Sequence, residues 1–512
     1  ISEQFLYFKG DNMLAKVLSA SFIGVEGYII EVEVDISNGL PIFNIVGLGD
    51  MAISESKERV KASIKNSGYD FSPKRVVVNL SPAHIRKEGS SFDLPIALGI
   101  LMAFGMVSME KAKDYVVLGE LGLGGDINRV TGIINAVITS KENGIKGIVV
   151  PYDNYLEAKM IQGVDIIPVR NLKELIAFYN DDKRIEFKEK NNEYEEEMLH
   201  DFSEVKGQYK AKRAMEIAAA GGHNLFMIGS PGSGKSMLAK RLPTILPKMA
   251  EDEIIECTKI FSIAGLLNEE RPIITKRPFR TPHHTASNVS IIGGGRIPKP
   301  GEITLAHNGV LFLDEMNEFP KQVVETLRQP LEDKEISLSR AMYRVKFPSD
   351  FILIGASNPC KCGNHGDDRG RPCTCTEKEV KNYMGRISGP ILDRMDLYIE
   401  IKRLNEDELL NHMPSESSKE IRDRVEKSRL IQRKRFGGTK TNSQMSQSEL
   451  KKYCSLGVEE KEIIKKASER MGLSARSFDK ILKVSRTIAD LEEIENIEKV
   501  HILEALSFRK NN

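Results

Sequence analysis

The chain has 512 residues, and its 74 Lys and Arg against 73 Asp and Glu leave a net charge of +1. This length exceeds what one hydrophobic core supports, so two or three domains are expected, and the near-zero charge confines any nucleic-acid surface to a local patch. No apolar run reaches the roughly 18 residues that cross a bilayer, and no signal-peptide pattern opens the chain, so we expect a soluble, cytoplasmic protein without a membrane partner. Six cysteines in so long a chain exclude a disulfide scaffold. Residues 1–12, before Met13, are set aside as an extension outside the fold.

The first predicted domain, 13–179, mixes strand and helix patterns into a self-sufficient α+β unit. Apolar residues alternate along its first long strand, which predicts burial of one face. Ser54 or Ser56 is expected near the start of its first helix. Strands are predicted over 28–35, 75–80, 115–118 and 147–150, and helices over 51–67 and 94–104.

Two stretches of this domain, 86–94 and 119–123, resemble landmarks of the Lon-protease-type domain. That family uses a Ser–Lys dyad, in which a lysine of lowered pKa activates the serine. Ser91 falls at about the nucleophile position, but the apolar Ile134 stands where the lysine is expected. Because a dyad without its base does not hydrolyse peptides, we predict a structural or substrate-handling domain, with no assigned role for Ser91 and Lys87.

A charged stretch with few apolar residues, 180–200, predicts a linker to an ATPase core over 201–402. In this core an apolar run leads into the sequence GSPGSGKS and a helix-prone segment, which is the pattern of a phosphate-binding P-loop. Lys235 is expected to reach the terminal phosphates of ATP, and the Ser236 hydroxyl is expected to contact Mg²⁺. The predicted cofactor-binding residues are Gly229, Ser230, Pro231, Gly232, Ser233, Gly234, Lys235 and Ser236.

The second half of an ATPase site follows further along the chain. Residues 309–315 form an apolar buried-strand pattern that ends in Asp314 and Glu315, the form of a Walker B motif. Asp314 can hold Mg²⁺ through water and Glu315 can act as general base on the attacking water, whereas the alternative is an acidic pair at a helix N-terminus. The next strand, 351–356, is followed by Asn358, which fits a sensor-1 role at the γ-phosphate.

Two arginines are candidates for contacts with ATP from outside the P-loop. Arg394 is expected to point out of its own subunit at a neighbour's γ-phosphate as an arginine finger, with Arg386 as the substitute and a surface salt bridge as the alternative. Residues 403–512 turn helical and polar and predict a C-terminal lid domain. Arg476, at the start of an amphipathic helix, fits a sensor-2 role that closes this lid on bound ATP.

Four of the six cysteines form two tight pairs, Cys360 with Cys362 and Cys373 with Cys375. Four thiolates in two pairs can close a tetrahedral Zn²⁺ site, and the loop between them has too few apolar residues to order itself otherwise. A zinc-binding insert is therefore predicted over 360–375. The alternative is four reduced thiols, or a labile disulfide, in a mobile loop.

Two basic insertions are predicted to project towards a pore. The first, 271–307, has the glycines 293–295 as a flexible tip, and the second, 335–346, is predicted to form a β-hairpin. Cationic loops would bind DNA phosphates without reading sequence, whereas the alternative is a set of solvated basic loops. The adjacent His283 and His284 would diverge on a strand, so they are interpreted as loop-shaping or hydrogen-bonding residues and not as metal ligands. The candidate DNA-binding residues are Arg280, Arg296, Lys299, Arg340, Arg344 and Lys346.

Together these motifs resemble the magnesium-chelatase-like branch of the AAA+ ATPases, and the order of Lon-like domain, AAA+ core and helical C-terminal domain is similar to the ComM/YifB family. The signature-like stretches are 279–287, 300–309 and 386–397. The resemblance implies an α/β chain with a parallel-sheet P-loop core, which forms a hexameric homo-oligomer and uses ATP and Mg²⁺. It also implies a motor that translocates on single-stranded or branched DNA, without sequence specificity, and promotes branch migration as a helicase in recombination or natural transformation. The alternative is a chelatase-type or protein-remodelling ATPase that acts on a protein partner.

Overall fold

The computed structural model describes residues 13–187, 200–295, 297–339, 344–367, 371–404 and 415–509. The extension before Met13 and most of the predicted linker lie outside these residues. We call 13–187 the N-terminal part, 200–404 the central part and 415–509 the C-terminal part. Within the described ranges, no helix combines the length and the apolar character that crossing a membrane requires.

The N-terminal part folds around a seven-stranded mixed sheet. The elements are β1 (Met13–Ile23), β2 (Glu26–Ser37), β3 (Ile42–Val46), β4 (Arg75–Ser81), β5 (Tyr115–Val117), β6 (Glu120–Leu121), β7 (Ile127–Asn128), β8 (Gly147–Pro151) and β9 (Asp165–Val169), with α1 (Met51–Asn66), α2 (Asp93–Ala103), α3 (Ile133–Glu142), α4 (Tyr155–Lys159) and α5 (Leu172–Asp181). The strand order is β3-β4-β2-β1-β5-β8-β9. From residue 30 onwards, β2 alternates buried residues with more exposed ones, which confirms the predicted half-buried strand. Its buried face packs with α2, every residue of which is buried.

Ser54 and Ser56 lie near the start of α1, as predicted, but neither serine is its N-cap. Asp50 caps the helix by accepting a hydrogen bond from the Ile53 N–H at 3.0 Å. Ser56, which the sequence placed near the cap, is buried one turn further on, and its hydroxyl donates to Asp93 of α2. The pattern therefore located the helix but not its cap, because a serine inside a helix can serve tertiary packing as readily as a terminus.

A buried lysine lies beside the loop that resembles the Lon-type domain. The Lys87 ammonium donates to the backbone carbonyls of Leu80, at 2.8 Å, and Pro82, and burial lowers its pKa to about 8. Neither of these contacts involves Ser91. Ile134, at the position where the family carries its lysine, is fully buried in α3. This geometry offers no base to Ser91 from either residue.

The central part is built on a five-stranded sheet in which all neighbouring strands are parallel. Its elements are β10 (Leu225–Gly229), β11 (Phe279–Arg280), β12 (Gly293–Gly294), β13 (Lys299–Pro300), β14 (Val310–Leu313), β15 (Glu335–Ser339), β16 (Arg344–Pro348), β17 (Ile352–Ser357) and β18 (Leu397–Ile401), with α6 (Tyr209–Gly221), α7 (Lys235–Ile245), α8 (Glu251–Ile263), α9 (Asn288–Ile292), α10 (Glu302–Leu305), α11 (Lys321–Thr326), α12 (Arg328–Asp333), α13 (Glu377–Met384) and α14 (Gly389–Leu392). The strand order is β11-β14-β17-β10-β18, so β17 lies between the P-loop strand and the Walker B strand.

Both faces of this sheet are covered, which explains its continuous apolar strands. On β14, Val310 and Phe312 point into the core formed with α6 and α7, whereas Leu311 and Leu313 point into the core formed with α11 and α12. A strand buried on both faces has no polar side to alternate with, so it reads as an unbroken apolar run.

The C-terminal part is helical and packs on the central part. Its helices are α15 (Ser418–Phe436), α16 (Gln447–Tyr453), α17 (Val458–Met471), α18 (Ala475–Leu491) and α19 (Lys499–Ser507). Arg429 and Gln432 of α15 donate to the carbonyls of Ala219 and Ala220 at the end of α6. The helices share one apolar core with α6, α7 and the sheet. The position of this lid is therefore set by packing against α6.

Candidate functional site

The P-loop follows β10 and opens α7, as the sequence predicts. The Lys235 ammonium donates to the carbonyls of Gly229, at 2.6 Å, and Ser230, at 3.0 Å, and also to the Asn358 side-chain oxygen at 3.2 Å. Lys235 is buried, and burial lowers the pKa of its ammonium. The structure therefore brings the P-loop lysine and the predicted sensor together at the carboxyl edge of the sheet.

The predicted magnesium residues also meet at this edge. The Ser236 hydroxyl donates to an Asp314 carboxylate oxygen at 2.5 Å, and the Glu315 N–H donates to the other oxygen at 3.0 Å. A hydroxyl and a carboxylate in contact are the oxygen donors that Mg²⁺ takes, so the residues fit this ion. Glu315 itself has a left-handed backbone, with φ of 49°, and its side chain remains 53% exposed. The exposed carboxylate is accessible to a water molecule.

One residue at this edge was missed by the sequence interpretation. His284 lies with its Nδ1 3.8 Å from a Glu315 oxygen. The predicted divergence of the two histidines is wrong, because their segment is a turn and not a strand, and the rings of His283 and His284 lie 4.1 Å apart. The available signal was the strand before them: β11 runs parallel to β14, so the residues after both strands reach the same edge.

Arg403 was missed as well. It follows β18, the neighbour of the P-loop strand, and its guanidinium donates to the Pro231 carbonyl at 3.1 Å and to the Ser230 hydroxyl at 3.2 Å. The signal that indicates Arg403 is a basic residue within two positions of the end of a strand of this sheet. Arg403 therefore holds the first half of the P-loop from outside.

The two arginines predicted to contact ATP lie at the opposite, amino edge of the sheet. Arg394 and Arg476 line one cavity of about 450 Å³, together with Asn224, which directly precedes β10. The five residues of β10 separate this edge from the P-loop by roughly 15 Å. Neither arginine is therefore placed at the P-loop of its own chain.

This placement differs from the sequence expectation in two ways. Arg394 does not point outwards: its guanidinium is ion-paired with Glu332 of the same chain, donates to the Pro390 carbonyl at 2.6 Å, and is only 11% exposed. Arg476 is exposed, but the lid carries it to the amino edge and not over the bound-nucleotide position of its own chain. The position of Arg476 is determined by the packing of the C-terminal helices on α6 and by the contact of α18 with Asp396.

Arg386, the substitute for Arg394, lies at the carboxyl edge of the sheet. Its guanidinium is 3.0 Å from Glu318, in the turn that follows Glu315, and it also lies over the Tyr383 ring. The two candidates thus occupy opposite edges, so a single experiment can separate them.

Asp396 connects the amino edge to the lid. Its carboxylate accepts a hydrogen bond from the Asn224 N–H at 2.9 Å and lies 3.2 Å from the Lys480 ammonium of α18. Burial alone would raise the pKa of Asp396, but Lys480 and His223 hold it well below its usual range. A buried, paired carboxylate therefore fixes α18, and with it Arg476, against the sheet.

The four clustered cysteines form one group, as predicted. Their ligand atoms all lie within 4.8 Å of one another, with Sγ separations of 3.3 Å for Cys360–Cys362, 3.7 Å for Cys360–Cys373 and 3.6 Å for Cys362–Cys373, and all are free thiols. A tetrahedral ZnS₄ centre requires sulfur separations of about 3.8 Å, so this donor set fits Zn²⁺. Backbone N–H groups of Asn364 and Thr374 lower the pKa of Cys362, whereas burial and the neighbouring thiols raise the pKa values of Cys373 and Cys375.

The basic insertions are only partly available to a ligand. The Arg280 guanidinium donates two hydrogen bonds, of 2.6 and 2.7 Å, to the Glu302 carboxylate, so it is already engaged within the chain. Lys299 and Arg344 are exposed, and Lys346 is exposed while pairing with Glu335 at 2.7 Å. Arg296 and Arg340 lie outside the described residues.

The expected flexible glycine tip is wrong for Gly293 and Gly294. Both are buried in a short ribbon formed with β13. A Cβ atom on Gly293 would lie 2.4 Å from the Lys299 carbonyl oxygen. These glycines therefore serve close backbone approach. The second insertion does form the predicted hairpin, since β15 and β16 pair antiparallel. Its tip, 340–343, lies outside the described residues.

Comparison with known proteins shows which protein families this chain matches. The family "Magnesium chelatase, subunit ChlI" matches residues 201–409, the family "Subunit ChlI of Mg-chelatase" matches 32–154, and the family "Magnesium chelatase, subunit ChlI C-terminal" matches 415–509. The chain is 39% identical over 504 residues to the competence protein ComM of Haemophilus influenzae, covering 97% of each chain. It is also 39% identical over 498 residues to the uncharacterized protein YifB of Escherichia coli, again covering 97% of each.

A shorter similarity reaches the archaeal Lon protease of Methanocaldococcus jannaschii. It is 25% identical over 174 residues, which is 32% of this chain and 26% of that protein. Such a partial match supports a relationship with Lon-type proteins for a segment of the chain and carries no peptidase activity with it.

Proposed function

Because the chain belongs to the magnesium-chelatase-like family of AAA+ ATPases that includes ComM and YifB, we propose that it is a ring-forming, ATP-driven motor that translocates on DNA. The observation that carries this proposal is the division of the candidate ATPase residues between two edges of one sheet. The P-loop and the Walker B acids lie at the carboxyl edge, and Arg394 and Arg476 lie at the amino edge.

At the carboxyl edge, each residue has a chemical task in ATP hydrolysis. Lys235 binds the terminal phosphates, and Ser236 and Asp314 would hold Mg²⁺, which neutralises charge on the phosphates when bound. Glu315 accepts a proton from the attacking water, and Asn358 contacts the γ-phosphate.

The amino edge supplies a further guanidinium for this site, in addition to Arg403, which the backbone and side chain of the P-loop already engage. A guanidinium on the γ-phosphate stabilises the charge of the transition state, and no described contact brings Arg394 or Arg476 to the P-loop of the same chain. We therefore assign both arginines to the site of a neighbouring subunit, where Arg394 would exchange its ion pair with Glu332 for the γ-phosphate. A head-to-tail repetition of this contact closes a ring, and the proposed ring is a hexamer.

DNA is the proposed substrate of the motor. Lys299, Arg344 and Lys346 are exposed on the two insertions, and exposed cations bind phosphates without reading sequence. The Haemophilus relative is a competence protein by name, which favours a role in taking up or recombining DNA. We propose branch migration of single-stranded or branched DNA as the activity.

A structural Zn²⁺ ion is proposed at the four clustered cysteines. Thiolates at tetrahedral separations support this ion. It would order a loop that has few apolar side chains of its own.

The proposal is tested by measuring the mass of the assembly and the rate of ATP hydrolysis with and without a four-way DNA junction. We expect a hexamer and a DNA-stimulated rate at low salt. The double substitution Arg344→Ala, Lys346→Ala should weaken DNA binding, and should reduce the slope of log affinity against log salt by about two. Lys466→Ala, a matched loss of an exposed cation on α17, should leave both unchanged.

A second candidate function is a motor that acts on a protein partner. It is favoured by the family descriptions, which all refer to a magnesium chelatase subunit. If neither single-stranded nor branched DNA binds or raises the ATPase rate at low salt, the DNA proposal fails and this second function replaces it.

A further inference from the structure

The cysteine cluster lies directly against the nucleotide site. Cys360 follows Asn358, the proposed sensor of the γ-phosphate, by two residues, and is fully buried. The insert therefore continues from the end of β17, the strand that pairs with the P-loop strand. The first cysteine of the cluster and the proposed sensor therefore lie on one short stretch of backbone.

The turn inside the cluster packs on the P-loop itself. Gly363 donates to the Cys360 carbonyl at 3.0 Å and has a left-handed backbone, with φ of 83°. A Cβ atom on Gly363 would lie 2.6 Å from the Cδ of Pro231. The backbone of the metal-binding turn thus touches the ring of Pro231 in the P-loop, and glycine is needed for this approach.

A second connection runs through an ion pair. Asp367, nearly buried at 8% exposure, lies with a carboxylate oxygen 3.2 Å from the Arg403 guanidinium. Arg403 donates in turn to the Pro231 carbonyl and the Ser230 hydroxyl. The insert is therefore connected to the P-loop in two ways, directly through the apolar contact with Pro231 and indirectly through the ion pair with Arg403.

We propose that the metal ion held by Cys360, Cys362, Cys373 and Cys375 positions the P-loop, so that metal binding and ATP binding strengthen each other. This inference rests on the zinc site of the proposed function and goes beyond it. The cysteines pin a loop that lacks an apolar core of its own, and the pinned loop holds Pro231 and Arg403 in place. A P-loop that is held in its binding shape loses less conformational entropy when it takes up phosphates.

Linkage makes the coupling measurable from both sides. If bound metal raises the affinity for ATP, then ATP must raise the affinity for metal by the same factor. We expect a factor of about ten, within the common range for coupled sites. The unmodified protein, loaded with Zn²⁺, should therefore release zinc to a coloured chelator more slowly when Mg-ATP is present.

Two variants separate the coupling from the metal site. Asp367→Asn removes the ionic connection without touching a thiolate, so it should keep one zinc per chain, bind a fluorescent ATP analogue several-fold more weakly, and lose part of the protection by ATP. Cys373→Ser should lose zinc and bind the analogue about tenfold more weakly. Cys454→Ser, at a buried cysteine in the C-terminal part, is the matched control and should retain both properties.

Each failure has its own meaning. Protein purified without added chelator that holds well under one zinc per chain overturns the metal site. Zinc that is present but released at the same rate with and without ATP, with normal analogue binding by Asp367→Asn, overturns the coupling alone. Neither result bears on DNA stimulation of the ATPase, which tests the proposed function separately. Circular dichroism shows whether Cys373→Ser is folded, and Asp367→Asn decides the question if it is not.

Discussion

At the carboxyl edge of the central sheet, the candidate functional side chains contact one another, whereas at the amino edge Arg394 contacts structural partners and Arg476 is exposed. Lys235 reaches Asn358, and Ser236 reaches Asp314. Arg394, by contrast, is ion-paired with Glu332 in the wall of an open cavity. The carboxyl edge is therefore organised as a binding site, whereas the amino edge carries an open cavity.

This difference between the two edges is the reason why we propose an assembly of subunits, and not a single chain, as the functional unit. In a parallel sheet, the residues after the strands and the residues before them lie at opposite edges, roughly 15 Å apart for strands of this length. A subunit cannot fold its amino edge onto its own P-loop without breaking the sheet. In the proposed assembly, the arginines meet the nucleotide of another copy of the chain.

The largest expected effect comes from Arg394→Ala. Removing a guanidinium from the γ-phosphate should lower the rate of ATP hydrolysis by about 10³-fold, while the affinity for ATP changes little because the P-loop is intact. The hydrolysis rate and the binding of a fluorescent ATP analogue measure the two effects.

Mixing subunits sharpens this test. Lys235→Ala should be inactive alone, but mixed rings of Lys235→Ala and Arg394→Ala should regain activity at interfaces that pair one intact P-loop with one intact arginine. If Arg386→Ala complements Lys235→Ala and Arg394→Ala does not, the roles of the two arginines are reversed. Normal turnover by Arg394→Ala would exclude it as the finger.

A somewhat smaller effect is expected from Glu315→Gln at the carboxyl edge. Loss of the general base should lower hydrolysis by about 10²-fold while ATP remains bound, because Ser236 and Asp314 are unchanged. Single-turnover hydrolysis of bound ATP is the measurement. Glu318→Gln, a matched change three residues on, should stay within about threefold of the unmodified rate. Normal hydrolysis by Glu315→Gln would contradict the assignment of Glu315 as the general base.

The smallest effect concerns stability and its dependence on pH. Asp396→Asn leaves Lys480 buried without its partner and should lower the free energy of unfolding by about 3 kcal/mol at pH 7. The pKa of Asp396 is lower in the folded protein than in the unfolded chain, so its stabilisation is fully present above pH of about 5 and is lost as the pH falls below about 4.

The difference between the unmodified protein and Asp396→Asn should therefore shrink on acidification. Urea unfolding followed by circular dichroism, at pH 7 and at successively lower pH, measures it. Asp393→Asn, a change at an exposed carboxylate of the same segment, should shift unfolding by less than about 0.5 kcal/mol at any pH. A pH-independent difference for Asp396→Asn would show that the lowered pKa does not contribute.

Much of the carboxyl edge could be predicted from local sequence. Lys235 and Ser236 follow an apolar strand and open a helix, and Asp314 and Glu315 end a second apolar strand. These patterns depend only on neighbouring residues, so the residue sequence is enough to recognise them. His284 and Arg403 were missed, because each reaches this edge from a strand whose place in the sheet is not visible in its own segment.

The lid was the least predictable part. The position of Arg476 at the start of a helix was recognised, but the packing of the lid places it at the amino edge of the sheet, away from the P-loop of its own chain. That packing depends on Arg429 and Gln432 meeting the end of α6, and on Asp396 meeting Lys480, contacts between residues far apart in the sequence. Helical periodicity identifies the apolar face of a helix but not the partner that covers it.

By itself, the sequence determined the P-loop, the Walker B acids, the sensor strand and the paired cysteines, since each is a short pattern whose chemistry depends on adjacent residues. Only the tertiary structure decided that Gly363 touches Pro231, that Glu332 holds Arg394, and that the P-loop and the arginines lie at opposite edges. The physical reason is that strand order and helix packing arise from the burial of apolar faces across the whole chain, and this determines which distant polar groups meet.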